Sequence, residues 1–180
     1  TYRELIYGEQ YGGGIPGGKK FKAMLPSGGS GPVVKEDALD APITYEGLDK
    51  FASVMGSASV VIMDETTDMV WMAMKCVHFF KHESCGKCTP CREGTYWMDQ
   101  LLHKIYHGRG TEEDLRVLKS VAGQIGGRTL CALGDFAINP VLSTVKHFPE
   151  EYEAKVKGNK SGHQAANGRV AVSTVQVAVN

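Results

Sequence analysis

Three cysteines stand at steps of three in "ESCGKCTPCREG", residues 83–94: Cys85, Cys88 and Cys91. Thiolates are soft ligands, and three of them in one turning loop suit iron or zinc. A 4Fe-4S cube takes one thiolate at each of its four irons. The spacing C-x2-C-x2-C lets consecutive ligands reach several corners, because each two-residue spacer turns the chain about the cluster and aims backbone N–H groups at sulfur. Four-cysteine zinc sites are usually two separate C-x2-C knuckles, and no second pair follows here. The spacing therefore favours a cluster, with zinc as its competitor. A disulfide framework fits least, because the five cysteines are odd in number and no export signal accompanies them.

Two cysteines could supply the fourth thiolate. Cys76 lies in "MVWMAMKCVHFF", an apolar helical stretch where a free thiol acts as a small hydrophobe. Cys131 lies in "GGRTLCALGD", irregular chain between two expected helices, and is the better placed of the two to lean toward the loop. The two-cluster ferredoxin spacing, C-x2-C-x2-C-x3-C-P, fails because residue 95 is Thr95, so the site is a one-cluster site. Lys81, His82, Lys87 and Arg92 surround the ligands. Cations beside a net-negative cluster favour its reduced form and raise its potential. Lys81 and Lys87 read equally well as solvated charges. Arg92 stands at a helix start, where the macrodipole disfavours a cation, and this points to a specific contact.

Other patterns carry less. "GGIPGGKK", residues 13–20, matches the spacing of a phosphate loop, but Lys20 replaces the serine or threonine that would hold magnesium, so it reads as a turn. His78 with His82, and His103 with His107, are H-x3-H pairs without the acid of a zinc-protease motif, and His107 at a helix end serves the dipole. Met69, Met72, Met74, Trp71 and Trp97 read as core, and no nucleophile stands with a base.

The elements that must position the cysteines are mostly helical. Helical patterns run over roughly 66–81, 91–107, 112–125 and 135–156, the last interrupted near Pro140 and Pro149. Asp64, Glu65 and Asp68 suit the first N-terminus; Thr89 before Pro90 caps the second helix; "TEED", 111–114, is a capping box; and Gly126 and Gly127 end the third. Upstream, residues 1–34 hold nine of the 22 glycines, which predicts tight turns between short strands. "KKFKAML", 19–25, alternates Phe21, Ala23 and Leu25 against Lys20, Lys22 and Met24 as a half-buried strand. "LDKFASVM" has helical spacing at Leu48, Phe51, Ala52 and Met55 with a stop at Gly56, and "ASVVIMD", 58–64, reads as a buried strand. The fold class is α+β: residues 1–64 form a small mixed domain, 65–157 an antiparallel helical bundle, and 158–180 a polar, flexible tail whose "RVAVSTVQVAVN" could add an edge strand.

Composition excludes several functions. With 180 residues, 42% of them hydrophobic, the chain can bury one or two cores. Lys plus Arg equals Asp plus Glu at 20 each, without a basic stripe, so no nucleic-acid partner is expected. No apolar run approaches a membrane span and no signal peptide opens the chain, so neither secretion nor direct membrane insertion is expected. The start at Thr1 rather than Met fits a stretch of a longer polypeptide.

"HESCGKCTPCREG", followed about forty residues later by "LCALGDFAINPV" and "HFPEEY", resembles the flavin-bearing, NADH-oxidising F subunits of NADH:quinone oxidoreductase, respiratory complex I. The resemblance runs from about residue 2 to 156. "RELIYGEQYGGGIPGGKKFKAMLPSGGSGPV" resembles the family's β-grasp, soluble-ligand-binding domain, and "VVIMDETTDMV" its junction into the cluster domain. The family implies that Cys85, Cys88, Cys91 and Cys131 hold a 4Fe-4S cluster that takes single electrons from FMN reduced by NADH and passes them along an iron-sulfur chain toward quinone. Cys76 is not among the family's ligands. The same resemblance implies an oxidoreductase and translocase setting: the peripheral arm of a membrane-bound complex, on the cytoplasmic side, beside other subunits including an iron-sulfur neighbour. The family's glycine-rich FMN and NADH motif precedes the β-grasp domain and is missing from this sequence, so the stretch alone is expected to be inactive. The residues after Gly158 depart from the family pattern. Diaphorase subunits of NAD-linked hydrogenases and formate dehydrogenases share the motifs, but no further ferredoxin-type cysteines follow Cys131, which leans toward the respiratory enzyme. A structural zinc module that docks a partner is the alternative of another class.

Overall fold

The computed structural model describes residues 1–157 and 173–175, and the chain divides after Thr67 into two compact units. The fold is α+β. In the first unit, helix α1 (Tyr2–Tyr7) opens on a capping box in which the Thr1 side chain accepts from the Glu4 N–H and the Glu4 carboxylate reaches back to Thr1. Its buried Tyr2, Leu5 and Ile6 share a core with Met24, Leu39, Leu48, Val60 and Ile62. Strands β1 (Phe21–Gly29) and β2 (Val60–Asp64) pair antiparallel, Met24 opposite Ile62, with an irregularity between Phe21 and Ala23. Strand β3 (Ser173–Val175) adds to the free side of β2, giving the order β1-β2-β3. The tail thus supplies an edge strand on its own chain; 158–172 and 176–180, read from sequence as flexible, lie outside the described residues.

Three sequence expectations for this unit fail. The glycine-rich start holds one helix and one strand rather than short strands in series, because its glycines end α1: the Gly12 N–H bonds back to the Leu5 carbonyl at 3.0 Å and Gly13 takes φ 63°. Strand β1 is not half-buried, since Met24 is as fully enclosed as Ala23 and Leu25. No helix forms over 48–55, only a single turn at Asp49–Phe51, which stops where Ala52 enters the left-handed region at φ 51°.

Asp64 closes the end of β2. Lys19 Nζ lies 2.8 Å from Oδ2, and the Thr66 N–H and hydroxyl donate to Oδ1 at 2.9 and 2.7 Å. Burial works to raise this carboxyl, but these donors outweigh it and hold it at about 2. A folded-state pKa depressed below the unfolded value of about 3.9 contributes stability above that value and loses it as pH falls toward 2. In acid unfolding followed by circular dichroism, Asp64→Asn is therefore expected to flatten the loss of stability between about pH 4 and 2.

The second unit is the bundle: α2 (Met69–Glu83), α3 (Thr89–Tyr106), α4 (Glu112–Ile125), α5 (Leu133–His147) and α6 (Pro149–Lys157). Its core repeats at helical spacing, with Val70, Ala73 and Val77 from α2, Met98, Leu102 and Ile105 from α3, and Leu118, Ala122 and Ile125 from α4. Asp68 caps α2, its Oδ1 accepting from the N–H groups of Val70 and Trp71 at 2.9 Å each, and its other oxygen meets Lys155 of α6 at 2.6 Å. The box at Thr111 and Asp114 forms as the sequence predicts. Pro140, expected to interrupt a helix, sits buried inside α5; its ring packs in the bundle, and the Ser143 and Thr144 hydroxyls donate to the carbonyls of Asn139 and Pro140 at 2.6 Å each. The break falls at Phe148, ahead of Pro149.

Candidate metal centre

Helices α2 and α3 pack side by side, and the five residues between them carry Cys85 and Cys88. Ser84 ends α2, Cys85 is exposed, Cys88 is half-buried as the N-cap of α3, and Cys91 is buried in its first turn. The cap is thus one residue earlier than Thr89, so a cysteine itself makes the transition into the helix. Gly86 turns the loop at φ 71°, a conformation in which a side chain would be strained. Arg92 makes the specific contact its position suggests: Nη1 donates to the Gly86 carbonyl at 2.8 Å and Nε to Glu93 at 2.8 Å, pinning the loop over the helix start.

Ser84 is a residue that sequence reasoning missed. Its Oγ accepts from the Gly86 N–H at 3.3 Å and lies within hydrogen-bonding distance of Cys91 Sγ at 3.2 Å. A hydroxyl placed immediately before the first cysteine was the available signal. Burial raises the Cys91 thiol, the Ser84 hydroxyl lowers it, and the nearby Cys88, Cys131 and Cys85 raise it again. Cys91 therefore lies within electrostatic reach of all three other candidate sulfurs.

Cys131 comes from the α4–α5 connection, forty positions beyond Cys91. That connection is held locally. The Gly127 N–H donates to Asp135 at 2.8 Å, Arg128 Nη1 to the Gly123 carbonyl at 3.1 Å, and Thr129 Oγ1 to the carbonyl of Cys131 at 2.8 Å. Gly134 has no alternative, since a Cβ there would lie 2.4 Å from the Thr129 side chain. Gly94 on α3 performs the matching service for the helices: a Cβ there would stand 2.5 Å from Ile125, the last residue of α4. The bare glycine lets α4 close onto α3 three residues after Cys91, which delivers the chain leading to Cys131.

Cys76 is elsewhere. It sits mid-way along α2 with its Sγ 3.6 Å from Met72 Sδ, and burial pushes its thiol up to about 12, the behaviour of a neutral packing group. The remaining sequence candidates are also placed. Lys81 is not a free surface charge: its Nζ lies 2.7 Å from Asp99 and 5.4 Å from the Tyr96 ring centroid. Lys87 is exposed and His82 pairs with Glu83 at 2.9 Å. The glycine segment 13–20 contributes a turn whose Lys19 is spent on Asp64.

A loop of three thiols, a fourth thiol from the α4–α5 connection that interacts electrostatically with Cys91, and a serine hydroxyl on the buried sulfur are chemistry suited to iron and sulfide. Residues 71–155 match the family described as the NADH-ubiquinone oxidoreductase-F iron-sulfur binding region, so the bundle is an iron-sulfur binding domain. Similar proteins include the NADH-quinone oxidoreductase F subunit of Mycobacterium tuberculosis, 44% identical over 88% of this chain and 35% of that protein. The Streptomyces coelicolor F subunit is 43% identical over 88% and 34% of the two chains, and that of Rhodobacter capsulatus 42% over 92% and 38%. Among solved structures, a chain of an NAD+-reducing [NiFe]-hydrogenase in the air-oxidized state superposes with a TM-score of 0.69 at 31% identity, covering 77% of this chain and 24% of that one. The chain belongs to the NADH-quinone oxidoreductase F-subunit family and matches the C-terminal part of such a protein. It spans about a third of the length of these curated relatives. Among the described residues no helix is long and apolar enough to cross a membrane.

Proposed function

We propose that Cys85, Cys88, Cys91 and Cys131 hold a 4Fe-4S cluster, and that the subunit containing this chain relays single electrons from FMN, reduced by NADH, along an iron-sulfur chain toward quinone. The observation that carries the ligand set is the neighbourhood of Cys91: it follows Cys85 and Cys88 in one tight loop turned by Gly86, and it interacts electrostatically with both of them and with Cys131. Three thiols in one C-x2-C-x2-C loop with a fourth far along the chain favour a cube over the two separate C-x2-C knuckles usual for zinc.

When bound, such a cluster supplies one-electron redox chemistry, which divides the pair of electrons a flavin accepts. The chain's own residues set the conditions. Cys91, enclosed by the bundle, fixes one corner in a dry environment, while Cys85 and Cys131 lie at the surface. The Ser84 hydroxyl lies beside the Cys91 sulfur, where it could donate to a thiolate and favour the reduced form of a cluster, and Arg92 braces the loop through the Gly86 carbonyl.

The rest of the assignment rests on the relatives' names and the family resemblance. The FMN- and NADH-binding region belongs to the portion of the relatives outside this match. The partners are the other peripheral-arm subunits, including an iron-sulfur neighbour, in a translocating complex on the cytoplasmic side of a membrane. The likeness to an NAD+-reducing hydrogenase supports a second reading, a diaphorase subunit with the same cluster and a different terminal acceptor. Anaerobic purification tests the first step: a brown protein with about four iron and four sulfide per chain is expected, whereas a colourless protein with one zinc would overturn it. Co-purifying subunits distinguish the respiratory complex from a hydrogenase.

A further inference from the structure

We propose that His78, Asp99 and His103 form a second metal site, distinct from the four cysteines, for a borderline divalent cation of the zinc type. Asp99 lies on α3 with its side chain only 2% exposed, and a carboxylate so enclosed requires partners. Lys81 Nζ meets Oδ2 at 2.7 Å. The other oxygen, Oδ1, faces two imidazoles: His78 Nδ1 at 3.1 Å, from α2, and His103 Nε2 at 3.7 Å, one turn further along α3. These three donor atoms all lie within 4.8 Å of one another.

The dimensions suit an ion. Metal–nitrogen and metal–oxygen bonds of about 2.0–2.2 Å set neighbouring donors of a tetrahedron about 3.3–3.6 Å apart. The two distances to Oδ1, 3.1 and 3.7 Å, straddle that range, and the two imidazole nitrogens lie within 4.8 Å of each other. The imidazoles are 59% and 42% exposed, which gives an ion access from solvent and leaves a fourth position to water. Two imidazoles with one carboxylate select zinc, nickel or copper over magnesium and calcium. Pairing with Lys81 alone accounts for Oδ2, but not for two imidazoles from different helices converging on Oδ1. Lys81 also works against a second cation, which keeps the carboxylate monodentate and the affinity moderate. A bound ion would tie α2 to α3, the helices that carry the cysteine loop, about 12 Å along α3 from Cys91. The site does not depend on the cluster assignment.

Cobalt(II) is the probe, because its absorption separates imidazole and carboxylate ligation from thiolate ligation. The full chain, purified anaerobically with its iron, is titrated with Co2+ and then back-titrated with Zn2+. One Co2+ per chain is expected, with d–d bands, without sulfur-to-cobalt charge transfer, and displaced by zinc. His78→Gln and His103→Gln, both at exposed side chains, are each expected to weaken binding by about tenfold or more. Lys81→Ala is expected to strengthen it. The proposal is overturned if cobalt does not bind, if both histidine variants bind as the parent does, or if all bound cobalt shows thiolate charge transfer.

Discussion

Replacing Cys131 with serine is expected to lower bound iron from about four atoms per chain to about three or fewer and to bleach or alter the visible absorption. A serine oxygen is a poorer ligand for iron than a thiolate, and nothing else in the α4–α5 connection offers sulfur. Cys76→Ser is the matched control. It places a hydroxyl where a thiol packs 3.6 Å from Met72 Sδ, which costs about 1–3 kcal/mol of stability and leaves the iron content unchanged. The two variants differ by one atom each from the parent, so iron analysis and electron paramagnetic resonance read ligation directly. Iron lost from Cys76→Ser and kept in Cys131→Ser would name the wrong fourth ligand.

Gly94→Val is expected to disturb the same centre without touching a ligand. The new side chain meets Ile125, itself only 2% exposed, at a distance no carbon pair tolerates, so either α4 moves away from α3 or Ile125 leaves its place in the core. Overpacking of this kind costs about 1–3 kcal/mol. Because Ile125 leads through Gly126 and Gly127 into the connection that carries Cys131, iron retention should fall along with the urea midpoint. Gly94→Ala should lie between parent and valine, since alanine regains about 1 kcal/mol of helix propensity. A valine variant with unchanged midpoint and full iron would show that this contact does not position the fourth thiol.

Much of the proposed centre is legible in the sequence because its candidate ligands obey local spacing. Cys85, Cys88 and Cys91 declare themselves within seven residues, and Cys131 is distinguished from Cys76 by lying in irregular chain rather than on an apolar helix face. The boundaries of α4 follow from a capping box at one end and paired glycines at the other. What stayed hidden depends on neighbours far along the chain or on elements too short to show a period. The six residues of α1 span less than two turns, and the glycines behind them looked like hairpin turns although they end a helix. Leu48, Phe51 and Ala52 have helical spacing, yet only one turn forms, because the buried Leu48 is held by its core contacts and Ala52 turns left-handed. His78 and His103 each pair in sequence with a histidine on the same helix, since sequence shows i,i+4 neighbours and hides the one across the bundle. Gly94 carries its own signal: a glycine inside a strong helical pattern marks close approach of another backbone or side chain.

On the proposed coordination, the separation of Cys131 from its companions implies an order of maturation. Three thiols would meet an incoming cluster in a loop that Arg92 and Ser84 hold in shape, whereas the fourth would arrive only once α3 and α4 have docked. Restraining a free segment of about forty residues costs about 3 kcal/mol of entropy, and helix docking meets that cost in advance. A chain whose bundle has not closed would therefore grip its inorganic cargo by three points and surrender it to a chelator. On the proposed coordination, retention of iron doubles as a proofreading step for the bundle itself.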